Sequence, residues 1–313
     1  MNELHATQSS NPYQQALADG WLPIREVARQ TGVNAITLRA WERRYGLIKP
    51  QRTAKGHRLY DQNHVARINH ILTWLNRGVA VGQVSQLLEN REPPLVTEDN
   101  VWSEQRLQLQ QAMLQLNEAQ MDALFNRMLA LYPPATLLER LLLPLLDAFA
   151  QHWQGQFGSQ IEQVFFHSWL HSKLRSRIHH NNRQQHGQRL LLVNLCAQPM
   201  DPGLWLTAWL ASSHQMLIDV FEWPVPLNEL GLALDSMKPA ALLLYASQSL
   251  DSGCLQRDLP RLASSSGLPL LLIGPAASIH ATELGDIPGL NLAVTPLDAL
   301  TQLQGLQASE GQS

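Results

Sequence analysis

The apolar positions change their period twice along the chain. Between Trp21 and Asn90 they fall in short, punctuated clusters. Ile24, Val27 and Ala28 suit a short helix, Leu38, Trp41 and Tyr45 a second, and Val65, Ile68, Leu72 and Leu75 the seam of a longer third. From Gln105 to Asn181 the spacing is helical throughout. Leu107, Leu109, Met113 and Leu116 give one stripe, and Met121, Leu124, Phe125, Met128 and Leu129 give the next. The stretches "ATLLERLLLPLLDAFAQHW" and "QIEQVFFHSWLHSKLRSRI" add two helices, which predicts a four-helix bundle. From Arg189 onward the runs "LLLVNL", "MLIDVF", "ALLLYAS", "PLLLIG" and "LNLAV" alternate with amphipathic stretches. Near-continuous apolar strands separated by helices predict a five-stranded parallel sheet with both faces covered.

The chain therefore reads as multidomain. The boundaries are a flexible polar tail over 1–19, a winged helix-turn-helix over 20–90 and a linker over 91–104 around Pro93-Pro94. A helical bundle over 105–185, a Rossmann-like α/β domain over 186–306 and a polar tail over 307–313 follow, with "GLQASEGQS" expected to be disordered.

Charge sharpens the first of these. Between Gly20 and Asn90 there are 11 Lys+Arg against 4 Asp+Glu, whereas the remainder carries 12 against 22. A basic module on an acidic body points to a polyanion held by one end. "TGVN" breaks the first two helices apart, Asn34 suits an N-cap, and two short helices about a tight turn make a helix-turn-helix. With Leu38, Trp41 and Tyr45 inward, Thr37, Arg39, Arg43 and Arg44 project where a recognition helix meets the major groove. Gly46 ends that helix, and "LIKPQRTAKGHRLY" reads as a wing whose Arg52, Lys55, His57 and Arg58 reach phosphates. A lone basic helix is usually a solvated face; here helix, wing and local charge agree. Thr37 and Arg39 are the candidates for base edges, and the remaining cations for phosphates, which position a protein without reading sequence.

The segment "PIREVARQTGVNAITLRAWERRYGLIKPQRTAKGHRLYDQNHVARINHI" resembles the winged helix-turn-helix of MerR-family transcription regulators. The resemblance rests on "TLRAWERRYGL" followed by Pro50, Arg52, Gly56, Arg58 and Tyr60, and adds Tyr60 to the candidate DNA contacts. It implies a homodimer on double-stranded promoter DNA, working with RNA polymerase, that activates by bending and untwisting an overlong spacer. Such bends cost a few kcal/mol, roughly, and are offset by added contacts.

The order winged helix, helical bundle, α/β domain resembles the cobalamin-binding, light-sensing branch of that family. Its lower-ligand motif, Asp/Glu-x-His-x-x-Gly, falls on "AQPMDPG", where Gln198 replaces the acid and Met200 the histidine while Gly203 is kept. A thioether is a weaker partner for the metal than imidazole and lacks a carboxylate behind it. Of the bundle's Trp-x9-Glu-His signature Trp153 remains, with Gln163 and Val164 at the later positions. The Gly-Gly expected after the fourth strand is Gly274-Pro275, and Ser247 and Ser249 are weak echoes of the third-strand loop. The α/β domain is thus expected to be a degenerate cobalamin-type effector domain that uses no cofactor. These losses, together with "LWLTAWLASSHQMLIDV" (204–220), resemble activators of curli and biofilm-matrix genes within the family. That likeness implies a biofilm master-regulator promoter as target and control by partner proteins of the cyclic-di-GMP network. The alternative is a sensor binding a corrinoid or other small molecule between bundle and α/β domain.

Little else competes. Two cysteines, Cys196 and Cys254, allow no disulfide framework. "MNELHATQSSNPYQQ" has no apolar core of a signal peptide and no run suits a membrane span, so a cytoplasmic, nucleoid-associated protein is expected. His167 and His171 share a helical face, and the nearest third ligand, Glu162, is one to two turns away, so solvated side chains or packing at a helix interface are expected rather than zinc. Trp205 and Trp209, also four apart, are expected in the core or at a dimer surface, with ligand stacking the alternative. No phosphate-binding glycine motif or nucleophile–base pair is legible, so an enzyme is not expected.

Overall fold

The computed structural model describes residues 13, 16–17, 20–89, 99–154, 158–185, 187–196 and 201–310. Among the expectations above, those on Pro93-Pro94, on Gln198 and Met200, and on most of the N-terminal tail lie outside these residues. Two compact units emerge, Met1–Ala148 and Phe149–Ser313.

The first unit opens with strand β1 (Leu22–Pro23), helix α1 (Ile24–Thr31) and helix α2 (Ala35–Ala40), which runs on through a π-helical turn at Trp41–Tyr45. Gly32, in the left-handed region at φ 70°, ends α1, and the Asn34 side chain accepts from Thr37 N at 2.8 Å to start α2. Strands β2 (Gln51–Arg52) and β3 (Arg58–Tyr60) form the wing. At its tip Gly56 N donates to Thr53 O and Thr53 N to His57 O, with Gly56 at φ 82°. The sheet order is β1-β3-β2, so β3 is the central strand. Helix α3 (Gln62–Asn76) begins at a capping box between Asp61 and His64, and α4 (Val81–Glu89) follows.

Helix α5 (Asp99–Leu114) starts inside the stretch expected to be a linker. The reason is Trp102, buried with its Nε1 donating to Gly78 O at 3.0 Å and its ring 4.6 Å from that of Tyr132. The inward seam of α5 is Trp102, Leu109, Ala112 and Met113, whereas Leu107 and Leu116 are exposed. Leu107 and Leu109 are two apart and cannot share a helical face. Helix α6 (Glu118–Leu131) buries Met121, Leu124, Phe125 and Met128 as its spacing predicts. Helix α7 then runs over residues 134–152, with a π-helical turn at Leu138–Leu142. Pro144 lacks the N–H that would reach the Arg140 carbonyl; Arg106 Nη1 supplies a donor to it instead, at 2.9 Å. The boundary between the units falls within α7.

In the second unit, α8 (Ser159–Gln184) is followed by β4 (Arg189–Asn194), α9 (Pro202–Ser213) and β5 (Leu217–Phe221). Then come α10 (Leu230–Met237), β6 (Ala241–Tyr245), α11 (Leu259–Ser266) and β7 (Leu270–Ile273). The short helices α12 (Pro275–Ile279) and α13 (Ala281–Gly285) lead to β8 (Leu290–Ala293) and α14 (Pro296–Glu310). Helix α14 extends to Glu310, into the stretch expected to be disordered. All strand pairs are parallel and the order is β5-β4-β6-β7-β8. The chain reverses direction across the sheet between β4 and β6, where doubly wound sheets place their ligands. Leu191, Val193, Leu242, Leu244 and Leu272 form the core on one face, and α9 buries Trp205 and Trp209.

Candidate nucleic-acid interface

Helix α2 and its π-helical turn carry both the core face and the exposed cations. Leu38, Ala40 and Trp41 are buried, and Arg39, Arg43 and Arg44 are exposed. At the adjoining wing, Lys55 and His57 are exposed. These four cations and one histidine, on two connected elements, can meet one polyanionic surface.

The structure places four of the sequence candidates differently. Thr37 is fully buried, because it lies three residues before Ala40 and four before Trp41 and so shares their inward face. It does not present its hydroxyl to a base edge. Tyr60 is fully buried as well, at the end of the central strand, with its ring edge-on to His64 at 5.8 Å. Burial, reinforced by the nearby Glu42 carboxylate, pushes its phenol up to about 12. The pattern missed this because β1, only two residues long, carries almost no strand signal, yet it makes β3 an interior strand.

Arg52 and Arg58 are engaged within the protein. Arg52 Nη2 lies 2.5 Å from Glu42 Oε1 and Arg58 Nε 2.5 Å from Glu42 Oε2. Burial opposes ionisation of Glu42, but the hydrogen bonds from Arg58 and Arg52 outweigh it and hold the carboxyl below its usual range. The sequence signal was a lone acid inside "WERRYG". His64 is a second tie: Nε2 lies 3.0 Å from Lys49 O, and Nδ1 lies 3.2 Å from Asp61 N and 2.5 Å from Asp61 Oδ1. It thereby joins the two ends of the wing.

The recognition helix is also fastened from behind. Trp41 Nε1 donates to Leu131 O, at the end of α6, at 2.9 Å. Thr136 Oγ1 donates to Asn76 Oδ1 at 2.9 Å, and the Arg140 guanidinium donates to Asn76 O.

In the second unit, the described groups at the reversal between β4 and β6 bond to one another. Tyr245 Oη donates to Asp201 Oδ1 at 2.7 Å, and the same oxygen caps α9 by accepting from Gly203 N at 2.9 Å. Burial, then the Asp201 charge, drives the Tyr245 phenol far above its ordinary range. A Cβ at Gly203 would lie 2.0 Å from Tyr245 Oη, so Gly203 is needed by this tyrosine. A Cβ at Gly274 (φ 109°) would meet Ala246 O at 2.6 Å, a backbone contact that accounts for this glycine too. Ser247 N donates to Cys196 Sγ at 3.1 Å. Ser249 Oγ lies 3.0 Å from His280 Nε2, which also accepts from Leu250 N at 3.1 Å; the single lone pair there is taken by a backbone donor.

Trp153 stacks on Phe149 at 5.1 Å and meets His167 edge-on at 5.6 Å. Burial lowers the His167 pKa, with Asp201 pulling the other way. His171 instead packs at 4.5 Å on Trp205, with Nε2 3.4 Å from Glu222 Oε2. Glu162 pairs with His152 at 3.1 Å. Among the described residues no group of three metal-ligating side chains converges, and no helix is long and apolar enough to cross a membrane.

The sequence order implies a corrinoid at this end of the α/β sheet, and the residues do not fit it. The lower-ligand positions are Gln and Met, the upper signature positions are Gln163 and Val164, both exposed, and the Gly203 cradle is closed by Tyr245.

Comparison with known proteins bears on both units. Residues 22–91 match the family model "MerR HTH family regulatory protein", and residues 106–177 match "B12 binding domain", the latter falling on helices rather than on the sheet. The HTH-type transcriptional regulator MlrA of Escherichia coli (strain K12) is 34% identical over 198 residues, which cover 63% of this chain and 78% of that protein. The HTH-type transcriptional repressor CarH of Myxococcus xanthus is 25% identical over 281 residues, covering 84% and 92%. Among solved structures, a cobalamin-binding protein from Desulfitobacterium hafniense DCB-2 aligns over 66% of this chain and 98% of its own, with 11% identity and a TM-score of 0.36.

Proposed function

This chain belongs to the MerR family of transcription regulators, and we propose that it acts as a homodimer that grips promoter DNA through Arg39, Arg43 and Arg44 of the recognition helix and Lys55 and His57 of the wing. The observation that carries this reading is the exposure of Arg39, Arg43, Arg44, Lys55 and His57 on two joined elements while Thr37, Leu38, Ala40 and Trp41 of the same helix are buried. Arg39, nearest the start of the helix, is assigned to a base edge, and Arg43 and Arg44 to phosphates. The protein activates by distorting a promoter in concert with RNA polymerase. Its targets are biofilm and curli-type genes, a choice supported by the similarity to MlrA. Protein partners, such as those of cyclic-di-GMP signalling, bind the body and set its output. Mapping bound sites across the genome, with transcript levels in a deletion strain, tests this. Matrix-gene promoters should be bound and their transcripts should fall; a rise would make the protein a repressor, and binding elsewhere would remove the biofilm assignment.

A second reading, a corrinoid sensor, is favoured by the B12 binding domain match over 106–177. The donor set argues against it. Incubation with hydroxocobalamin or adenosylcobalamin followed by gel filtration should leave no visible absorbance on the protein; a co-eluting, shifted corrin band would reverse the choice.

A further inference from the structure

The hairpin that forms the wing is very short, with two residues on one strand and three on the other. Two strands of this length have little stability of their own. Besides the pairing of β3 with β1 and the His64 tie at its base, the wing is joined to the recognition helix through one carboxylate. Glu42 lies in the π-helical turn that ends the helix, Arg52 on β2 and Arg58 on β3, and each arginine takes a different oxygen of Glu42. The side chains of Glu42 and Arg58 are 14% and 18% exposed, against 49% for Arg52. Arg58 is therefore turned inward onto Glu42, and Arg52 keeps part of its guanidinium in solvent. A carboxylate this close to a polyanion surface would repel it, but the two guanidinium groups leave the cluster with a net positive charge.

We infer that Glu42 is a positioning residue for DNA recognition: it touches no DNA, and through Arg58 and Arg52 it fixes the pitch of the wing so that Lys55 and His57 address the same duplex as Arg39, Arg43 and Arg44. Arg58 then acts through Glu42 and not on a phosphate. A wing ordered in advance avoids the entropy of ordering it at the moment of binding. The inference rests on the DNA-binding reading above.

The test uses the full chain, a duplex selected from random-sequence DNA by the wild-type protein, and binding measured over a range of salt. Glu42→Ala and Arg58→Ala should each weaken binding about tenfold or more, the scale of a lost charge-assisted hydrogen bond. Neither should change the slope of log affinity against log salt, and the double variant should be no worse than the weaker single one. Glu42→Gln keeps the shape and one oxygen acceptor and should lie between, again with the wild-type slope. Circular-dichroism melts identify any variant that loses affinity by unfolding, and Glu42→Gln then decides. If Arg58→Ala flattens the slope by ~0.9 and adds to Glu42→Ala, Arg58 is a phosphate contact and the positioning role fails. Tighter binding by Glu42→Gln would show the carboxylate to be a repulsive element, which also overturns it. Either result leaves the DNA reading standing; a wild-type chain that selects no duplex removes both.

Discussion

The winged helix and the α/β layer differ in what their polar side chains are free to do. In the winged helix Glu42 is tied to Arg52 and Arg58, and His64 to Lys49 and Asp61, while the outward cations Arg39, Arg43, Arg44 and Lys55 stand clear. In the α/β layer the groups at the strand ends face each other: Tyr245 with Asp201, Ser247 with Cys196, Ser249 with His280. One region keeps its chemistry pointing outward on a stiffened frame. The other has a doubly wound parallel sheet whose described strand-end groups bond to one another.

That contrast can be broken most forcefully at Trp41. Trp41→Ala removes a fully buried indole and should destabilise the first unit by roughly 3–5 kcal/mol, measured by denaturant unfolding. An effect below about 1 kcal/mol would mean that the frame of the recognition helix is not as rigid as drawn. Next in size is Gly203→Ala. Its Cβ would collide with an anchored Tyr245, at a cost of about 1–3 kcal/mol. Adding Tyr245→Phe removes the atom at 2.0 Å and leaves the next at 2.8 Å, so part of the loss should be recovered. No loss in the single variant would mean that the tyrosine is mobile and the site open. Arg43→Ala should weaken binding alike on all duplexes and flatten the salt slope by ~0.9. A change of sequence preference instead would move Arg43 from backbone to base readout. The smallest effect is that of pH. Glu42 titrates below its ordinary value when folded, so its contribution is complete above the usual carboxylate range and is lost as pH falls through the folded value. Wild-type DNA affinity should therefore drop in acid more steeply than that of Glu42→Gln, and parallel profiles would refute the assignment.

Periodicity was a good guide wherever one face of an element decides its fate. The five strands of the sheet, the inward stripe of α6 and the caps at Asn34 and Asp61 are all legible from spacing and residue type. Less legible were positions decided by long-range contact. Thr37 reads as a polar residue on a basic helix, but its i+3 and i+4 neighbours carry it inward. The pairing of Arg58 with Glu42, 16 positions earlier in the chain, is likewise invisible in the spacing of the basic residues. The start of α5 was hidden because Trp102 has its partners at Gly78 and Tyr132. The role of Gly203 was visible as a relic of a ligand motif, though the reason for glycine there is a tyrosine 42 positions downstream.

The indole bond from Trp41 to Leu131, with the Trp102 and Thr136 ties behind the winged helix, bears on how this molecule can be dissected. A fragment trimmed at Asn90 would lack a wall of its own hydrophobic interior, with the indole N–H of Trp41 left without its acceptor. Such a truncation would lose cooperativity on melting, whereas one that keeps Trp102, Leu131 and Thr136 would retain these ties.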